Sequence, residues 1–594
     1  MLQIVKRLLY IIPAGRLAIV RIILLFIFSS GLEIIGIGAV APFINLAGDP
    51  SKIQQNNSLN QLFELSNITN ENQFIAFLGL ITIAVFCTKV FVAWLTQVII
   101  FRFSGEQQKI LIDRLIESYL SSPYTYHLEN SSSYVIDNVI EVANRFNFIV
   151  QSLFVIVSNT LIAIALFFLL WYTSSTVMFA LLVVLLPIIL FVNSFKQKIR
   201  SWGTNTRKSK AQLIRTINHS LGGIKETKVI GCEQYFKDQV LLQTRDLESS
   251  QTSFFSFNTM PRYLIEAAML LSTVGMISFL LFMGNDINQF HGVLGVYALA
   301  SIRFMPAFAQ VTSGINTLRN NSYTIDRIYF DIKQSAPKIA TQAEKRTLSN
   351  SGNKFVFQQE IRLSNIFYRY PNQEKLAIEN LSLNIKRGES IAFIGKSGSG
   401  KTTLADIILG LLVVEDGDIQ VDGVSIYQNL RSWQNLVGYI PQSIFLADDT
   451  IKRNIAFGVP DRAIDLDRIY RAIETAQLSE VVNNLPDGID TKVGERGILL
   501  SGGQRQRIGI ARALYHEREV LVLDEATAAL DSETEKLVAD AMDALSGKKT
   551  LIMIAHRLST VEKCDRIFKL EKGTLIDSGN YQEVVMHQNG KFTK

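Results

Sequence analysis

Six apolar stretches, each about 20 residues or longer, crowd the first 330 residues of this 594-residue chain, and no other feature narrows its fold as much. In hydrocarbon a backbone must satisfy its own hydrogen bonds, which an α-helix of about 20 residues does. The stretches run over about 17–46, 73–101, 147–172, 176–195, 256–283 and 292–316, so the sequence predicts six membrane-spanning helices. The average composition, 48% hydrophobic and 19% charged, conceals a division. Apolar blocks continue to about 330, and from about 354 the periodicity is that of a soluble α/β domain. A chain of this length exceeds one compact core. It reads as a membrane domain over 1–330, a polar linker over 331–353 and a second domain over 354–594.

The basic residues set the orientation. Eleven lysines and arginines, from Lys196 to Arg245, lie between the fourth and fifth stretches, and Arg102, Lys109, Arg114 and Arg145 lie between the second and third. The loop 47–72 holds only Lys52. Both termini and the second domain are therefore expected in the cytoplasm, with the chain integral to the plasma membrane. The two basic segments are too poor in apolar residues for cores of their own, so they are expected to prolong the membrane helices. Residues 1–12 place Lys6 and Arg7 beside Ile4, Val5, Leu8 and Leu9, the pattern of a short helix lying on the membrane surface. Leu59, Leu62, Phe63 and Leu65 make a small amphipathic stretch in the outer loop, equally readable as a solvated loop or as a surface helix touching lipid.

Two function classes recede early. The net charge of +6 resides mostly in the inner loops and is no nucleic-acid signature, and Cys87, Cys232 and Cys564 form neither a disulfide framework nor a metal spacing. Charges inside the spans are costly and default to function. They are Glu33, Lys89, Arg262, Glu266 and Arg303. Arg262 and Glu266 stand four apart on one helix face, where they can pair. Together the five predict a polar, partly wet cavity, in which Arg262 and Arg303 could neutralise an anionic headgroup.

The second domain carries its chemistry in local motifs. The apolar strand Ser390–Ile394 runs into Gly395-Lys396-Ser397-Gly398-Ser399-Gly400-Lys401-Thr402-Thr403 and then a helix. This is G-x-x-x-x-G-K-[ST] in its strand–loop–helix setting. The glycines let backbone N–H groups curl around phosphate oxygens, Lys401 adds a point charge, and Thr402 offers a hydroxyl to Mg²⁺. Farther on, Val520-Leu521-Val522-Leu523 ends in Asp524-Glu525, two carboxylates at the carboxyl end of a buried strand. Asp524 suits Mg²⁺, and Glu525 suits a base that orients and deprotonates water.

Between these lies Leu500-Ser501-Gly502-Gly503-Gln504, opening a helix, and here the chain resembles the ABC transporters through their signature motif. The resemblance implies further roles. Gln442 is similar to the glutamine that links Mg²⁺ and water to the membrane domain, Ala529-Leu530-Asp531 to the D-loop, and His556 to the switch histidine. Tyr370 resembles the aromatic that stacks on adenine, with Tyr368 the lesser choice. Thr491–Gly497 resembles the exporter element that touches the inner loops, whose candidate contact regions are Ser122–Ser132 and Asn218–Lys228. The family clamps ATP between the phosphate loop (Gly395, Ser397, Gly398, Gly400, Lys401, Thr402, Thr403) of one nucleotide domain and the signature (Ser501, Gly502, Gly503, Gln504) of another. One chain has one of each, so two copies are expected, with a heterodimer left open.

Within the exporters, Glu33 followed by Pro42-Phe43, Pro261-Arg262 with Glu266, and Arg303-Phe304-Met305-Pro306 resemble bacterial flippases for lipid-linked oligosaccharides. That likeness implies a glycan on an isoprenoid diphosphate, moved from the inner to the outer leaflet. Export of another polysaccharide precursor or glycolipid, or of a peptide or drug, stays open. So does a channel or regulator using the same ATPase without transport, against which the intact catalytic positions and six spans count.

Overall fold

The computed structural model describes residues 2–12, 16–48, 70–173, 175–282, 291–331, 355–524, 532–555 and 561–586, together with 50, 53, 61–64, 66 and 68. The expected linker, apart from Asp331, lies outside the described residues, as does most of the loop 47–72. The chain divides into two compact units. One comprises Met1–Ser121 and Ser132–Lys338, the other Ser122–Ser131 and Ile339–Lys594. A ten-residue piece of the first basic segment thus groups with the second unit.

The first unit is all helix. Helix α1 (Leu2–Ile11) is amphipathic and is fastened through Arg7, which pairs with Asp326 and lies over the rings of Tyr329 and Phe330. The long elements are α2 (Arg16–Gly48), α3 (Glu71–Ser121), α6 (Ala143–Thr173), α7 (Ser175–Ser194), α8 (Lys196–Gly222), α10 (Glu233–Phe282) and α11 (His291–Asn320). Between α3 and α6 stand α4 (Tyr124–Glu129), which belongs to the second unit, α5 (Ser132–Asp137) and one π-helical turn, Asn138–Val142. The short α9 (Ile224–Ile230) separates α8 from α10.

The predicted spans all fall on helices. Among the described residues, stretches in Leu17–Ala39, Glu71–Ser121 and Ser132–Tyr172 are long and apolar enough to cross a membrane. At 1.5 Å per residue the 51 residues of α3 extend about 75 Å, against about 30 Å of hydrocarbon. The helix of the second stretch runs on past 101 to Ser121, in line with the expectation that the basic segment prolongs it, because its polar residues keep helical periodicity. The core between α2, α6, α7, α10 and α11 is built from Ile37, Leu166, Met178, Leu185, Ile265 and Phe304. Gly314 lets α11 approach α6, since a methyl group there would come within 2.6 Å of Ile156. Phe63, in the helical turn 61–64, packs edge-on against Phe74 with centroids 5.1 Å apart.

The second unit is α/β. Strands β1 (Glu360–Tyr368), β2 (Ile378–Lys386), β4 (Asp416–Val421) and β5 (Val424–Ser425) form an antiparallel sheet in the order β2-β1-β4-β5. The larger sheet runs β10-β9-β3-β8-β7-β6 and comprises β3 (Ser390–Ile394), β6 (Val437–Ile440), β7 (Val520–Asp524), β8 (Thr550–Ile554), β9 (Arg566–Glu571) and β10 (Thr574–Gly579). All its pairings are parallel except that of the edge strand β10. Strands β3, β7 and β8 are buried almost throughout, which explains their continuous apolar runs. Two helices matter to the site: α12 (Lys401–Ile408) after β3, and α13 (Gly502–Tyr515) before β7.

Candidate functional site

The parallel register gathers the motif residues along one sheet edge. Phe393 of β3 lies opposite Ile554 of β8, which lies opposite Asp524 of β7, while Ile440 of β6 lies opposite Leu523. The loop after β3, Asp524 itself, Gln442 two residues past β6 and Ala555 just past β8 therefore emerge together, at the carboxyl ends where α/β sheets hold ligands. Glu525, Asp531 and His556 lie outside the described residues; the first follows β7 directly and the last is two residues past β8.

The loop after β3 is a cradle of backbone. Lys401 folds its ammonium over it, donating to the carbonyls of Gly395 at 2.8 Å and Lys396 at 3.1 Å. Gly400 has φ +100°, and a methyl group there would come within 2.9 Å of Ile378 Cδ1 and 3.0 Å of the Ala377 carbonyl. Ser399 is buried with its hydroxyl unpartnered. At the first turn of α12, Thr402 is exposed, whereas Thr403 is buried with its hydroxyl 3.1 Å from that of Tyr370. Tyr368 sits in the core, edge-on to the half-exposed Tyr370 with centroids 5.2 Å apart. Tyr368 is the last residue of β1, and Tyr370, just beyond the strand, is the one that meets Thr403 of the loop's helix.

A set of acids and phenols surrounds the buried Asp524. Asp406, one turn beyond Thr402, has its carboxyl pushed up to about 6 by burial and by the charge of Asp524. Tyr439 of β6 hydrogen-bonds to Asp524, and burial followed by the charges of Asp524 and Asp406 pushes its phenol well above the usual range. Burial and then the charges of Asp406 and Tyr370 also raise Tyr124 on α4. Asn372 donates to Glu129 of the same short helix at 3.3 Å. Thus the Ser122–Ser131 piece touches the tyrosine–phosphate-loop neighbourhood of its own chain. Sequence reading missed Asp406 and Tyr124. Asp406 left a faint trace, an acid among Leu404, Ala405, Ile407 and Ile408; Tyr124 left none.

At the signature, Ser501 caps α13. Its hydroxyl accepts from the Gln504 N–H at 3.2 Å, and Gln504 Oε1 accepts from the Ser501 N–H at 2.8 Å. This reciprocal capping box fixes the helix start, with Gly502 and Gly503 supplying its first N–H groups. Arg505 braces the preceding turn through the carbonyl of Leu500 at 3.1 Å. Lys492 of the 491–497 element bridges to Thr450.

In the membrane unit the charges pair differently from the expected neighbours. Glu33 on α2 is 2% exposed. Its Oε1 lies 2.8 Å from Lys89 Nζ on α3 and 2.7 Å from Arg303 Nε on α11, and neither contact is aligned as a hydrogen bond. Arg303 is therefore a bound cation. Arg262 and Glu266 are both exposed, and no ion pair joins them among the described residues. An exposed pair at this spacing gains only about 0.3–0.5 kcal/mol, too little to hold two side chains out of water. Arg262 instead lines a cavity of about 750 Å³ between α3, α6, α8, α10 and α11, with Gln97, Gln151, Asn258, Gln310 and Tyr263. The amides, mute in the sequence, become a group only in the fold.

Two protein families account for the chain. Residues 20–305 match the ABC transporter transmembrane region and residues 378–528 the ABC transporter family. The ATP-dependent lipid A-core flippase of Ralstonia nicotianae is 31% identical over 80% of each chain. That of Francisella novicida is 30% identical over 87% of this chain and 85% of its own. Among solved structures, a bacterial Atm1-family ABC exporter with ATP bound shares the fold at a TM-score of 0.71 and 20% identity, over 96% of each chain. Helical membrane unit, α/β unit, phosphate loop and signature thus lie on one polypeptide, and the chain belongs to the ABC transporter family as an exporter-type membrane protein that binds ATP and couples its hydrolysis to translocation.

Proposed function

We propose that this exporter flips a lipid-linked oligosaccharide, or a related glycolipid, from the inner to the outer leaflet of a bacterial plasma membrane. The observation that carries the reading is the polar cavity of the helical unit, walled by amides and aromatic rings and holding Arg262. It suits a hydrophilic, anionic headgroup whose hydrocarbon stays in the bilayer. The relatives' printed activity, flipping lipid A-core, supports a lipid bearing a large headgroup. The basic inner segments support a cytoplasmic location for both termini and the nucleotide domain.

The engine is a dimer of identical chains with two composite sites. In each, the phosphate loop through Gly395, Ser397, Gly398 and Gly400 cradles the phosphates, Lys401 meets the outer ones, and Tyr370 stacks on adenine. The partner's signature closes over the γ-phosphate with its helix N-terminus, and Asp531 meets the seam. Glu525 orients water and takes its proton, and His556 holds the γ-phosphate. Thr402, Asp524 and Gln442 would hold Mg²⁺. Hard oxygen donors fit that ion, which uses one or two carboxylates with phosphates and water. Bound there, the ion would supply positive charge to offset that of the phosphates. Arg303 and Glu266 line the path, the buried Glu33 holds Arg303 in place, and Arg262 meets the phosphate of the passing headgroup.

Reconstitution tests the reading. With undecaprenyl-diphosphate-linked sugar in the vesicles, Arg262→Ala should lose transport of that lipid far more than basal ATP hydrolysis. Equal loss of both makes Arg262 structural and removes the headgroup role.

A further inference from the structure

The cavity holding Arg262 has a chemical bias that charge alone does not express. Its residues lie where the apolar stretches give way to the basic segments: Phe101 at the end of the second stretch, Phe148 and Gln151 at the start of the third, Asn258 and Arg262 at the start of the fifth, and Gln310 near the end of the sixth. That is the level of an inner-leaflet headgroup, if the basic segments face the cytoplasm.

Its amides are oriented in advance. Asn159 donates to Gln310 Oε1 at 2.9 Å, so the Gln310 NH₂ remains to donate. Gln151 donates to Asn147 at 2.9 Å, Asn147 to Gln108 at 2.7 Å and Gln108 to Asn144 at 2.9 Å. This chain runs one way and leaves Gln151 Oε1 as an acceptor, strengthened by its neighbours. Asn258 lines the wall and donates to Ser313 at 2.8 Å with one amide hydrogen, while its buried Oδ1 has no partner among the described residues. The same cavity exposes more than half of Phe101, Phe148, Phe255 and Tyr263. Its other charges are spent on each other, since Glu141 takes Lys210 at 2.7 Å and Arg145 at 3.2 Å.

From these groups we infer that the cavity is a reception site for a neutral saccharide, whose hydroxyl and N-acetyl groups are read by Gln151, Asn258 and Gln310 and whose ring faces lie on the aromatic side chains. Each sugar hydroxyl both donates and accepts, which a mixed set of fixed amide donors and acceptors satisfies and a cationic wall does not. Hydrocarbon or a greasy drug in the same space strands the amides, a loss of about fivefold to a hundredfold in affinity for each stranded group. Among the described lining residues Arg262 is the one cation without an ion pair, and one such cation among neutral amides matches one anionic link beside uncharged sugars. The inference rests on the lipid-linked glycan reading and specifies which part of that lipid the cavity recognises.

The test compares two lipids that differ only in sugar. ATP hydrolysis is measured in phosphatidylethanolamine–phosphatidylglycerol vesicles titrated with undecaprenyl diphosphate, or with undecaprenyl diphosphate bearing a disaccharide of N-acetylhexosamines. Wild type should half-saturate at about tenfold lower concentration with the glycosylated lipid. Gln151→Leu and Asn258→Leu, on α6 and α10, should each weaken that preference about fivefold with the response to undecaprenyl diphosphate unmoved. Having the two on different helices keeps the test intact if one fails to fold. A preference retained in the folded variants, or equal loss for both lipids, overturns sugar reading while leaving lipid transport standing. No response of wild type to either lipid overturns the transport reading, and the inference with it.

Discussion

Replacing Glu33 by glutamine removes the carboxylate that Lys89 and Arg303 share. In the folded protein the Glu33 side chain is 3% exposed and that of Lys89 12%, with Lys89 Nζ 2.8 Å from the carboxylate. Deleting one partner of so buried a pair leaves the other charge uncompensated, at a cost of about 3–5 kcal/mol. Arg303 contributes less, because its side chain is 38% exposed and water screens it, so about 1 kcal/mol is assigned there. Glu33→Gln keeps the shape and should therefore destabilise the helical unit by about 4 kcal/mol. Lys89→Met placed on top should recover at least half, since a neutral pair of similar volume is tolerated where a lone charge is not. The assay is a double-mutant cycle on detergent-purified protein, read as denaturant midpoints from helix circular dichroism, with a coupling energy of about 2 kcal/mol expected. If Glu33→Gln lies within about 0.5 kcal/mol of wild type, a typical surface value, and the two changes simply add, the triad is no structural clamp and the pairing argued above is wrong.

Other outcomes follow from the nucleotide unit. Gly400→Ala puts a side chain at φ +100° against Ile378 and the Ala377 carbonyl, a strain of about 1–3 kcal/mol; ATP affinity by equilibrium binding should fall at least about tenfold, and unchanged affinity would refute the cradle. Ser501→Ala loses the cap of α13 and should cost about 1 kcal/mol in stability, visible as a lower unfolding midpoint in nucleotide-free protein. Because the folded Asp406 carboxyl is raised from 3.8 to about 6, its contribution to stability is full below pH 4 and lost as pH rises through 6. That shift is worth about 3 kcal/mol in full and about half that for a partly wetted group. Nucleotide- and magnesium-free Asp406→Asn should then be more stable than wild type at pH 7.5, and the difference should shrink toward pH 4.5; a pH-independent difference contradicts it.

What the sequence disclosed and withheld divides by range. The phosphate loop was legible because its strand, glycines and lysine are contiguous, and the signature because Leu500–Gln504 is one contiguous run, whereas the reciprocal capping of Ser501 and Gln504 was seen only in the fold. The six apolar stretches were legible because hydrocarbon imposes length directly. The Glu33 pairings were not, since α2, α3 and α11 meet only after folding, and a local rule favoured Arg262 with Glu266 instead. The amide set was silent for the same reason: glutamines and asparagines on separate helices carry no periodic signal. Tyr124 was hidden in a segment that a simple division assigns to the membrane domain, whereas in the fold it belongs to the second unit together with Asp406 and Tyr370.

The central claim is that ATP hydrolysis drives a glycan-bearing lipid across the bilayer. It is tested most directly by following leaflet transfer of a fluorescently labelled undecaprenyl-diphosphate oligosaccharide in sealed vesicles, for wild type and Glu525→Gln side by side. The account predicts ATP-dependent transfer by wild type, and none by the variant although it still binds ATP. Transfer at the wild-type rate by Glu525→Gln, or by wild type without nucleotide, would contradict it.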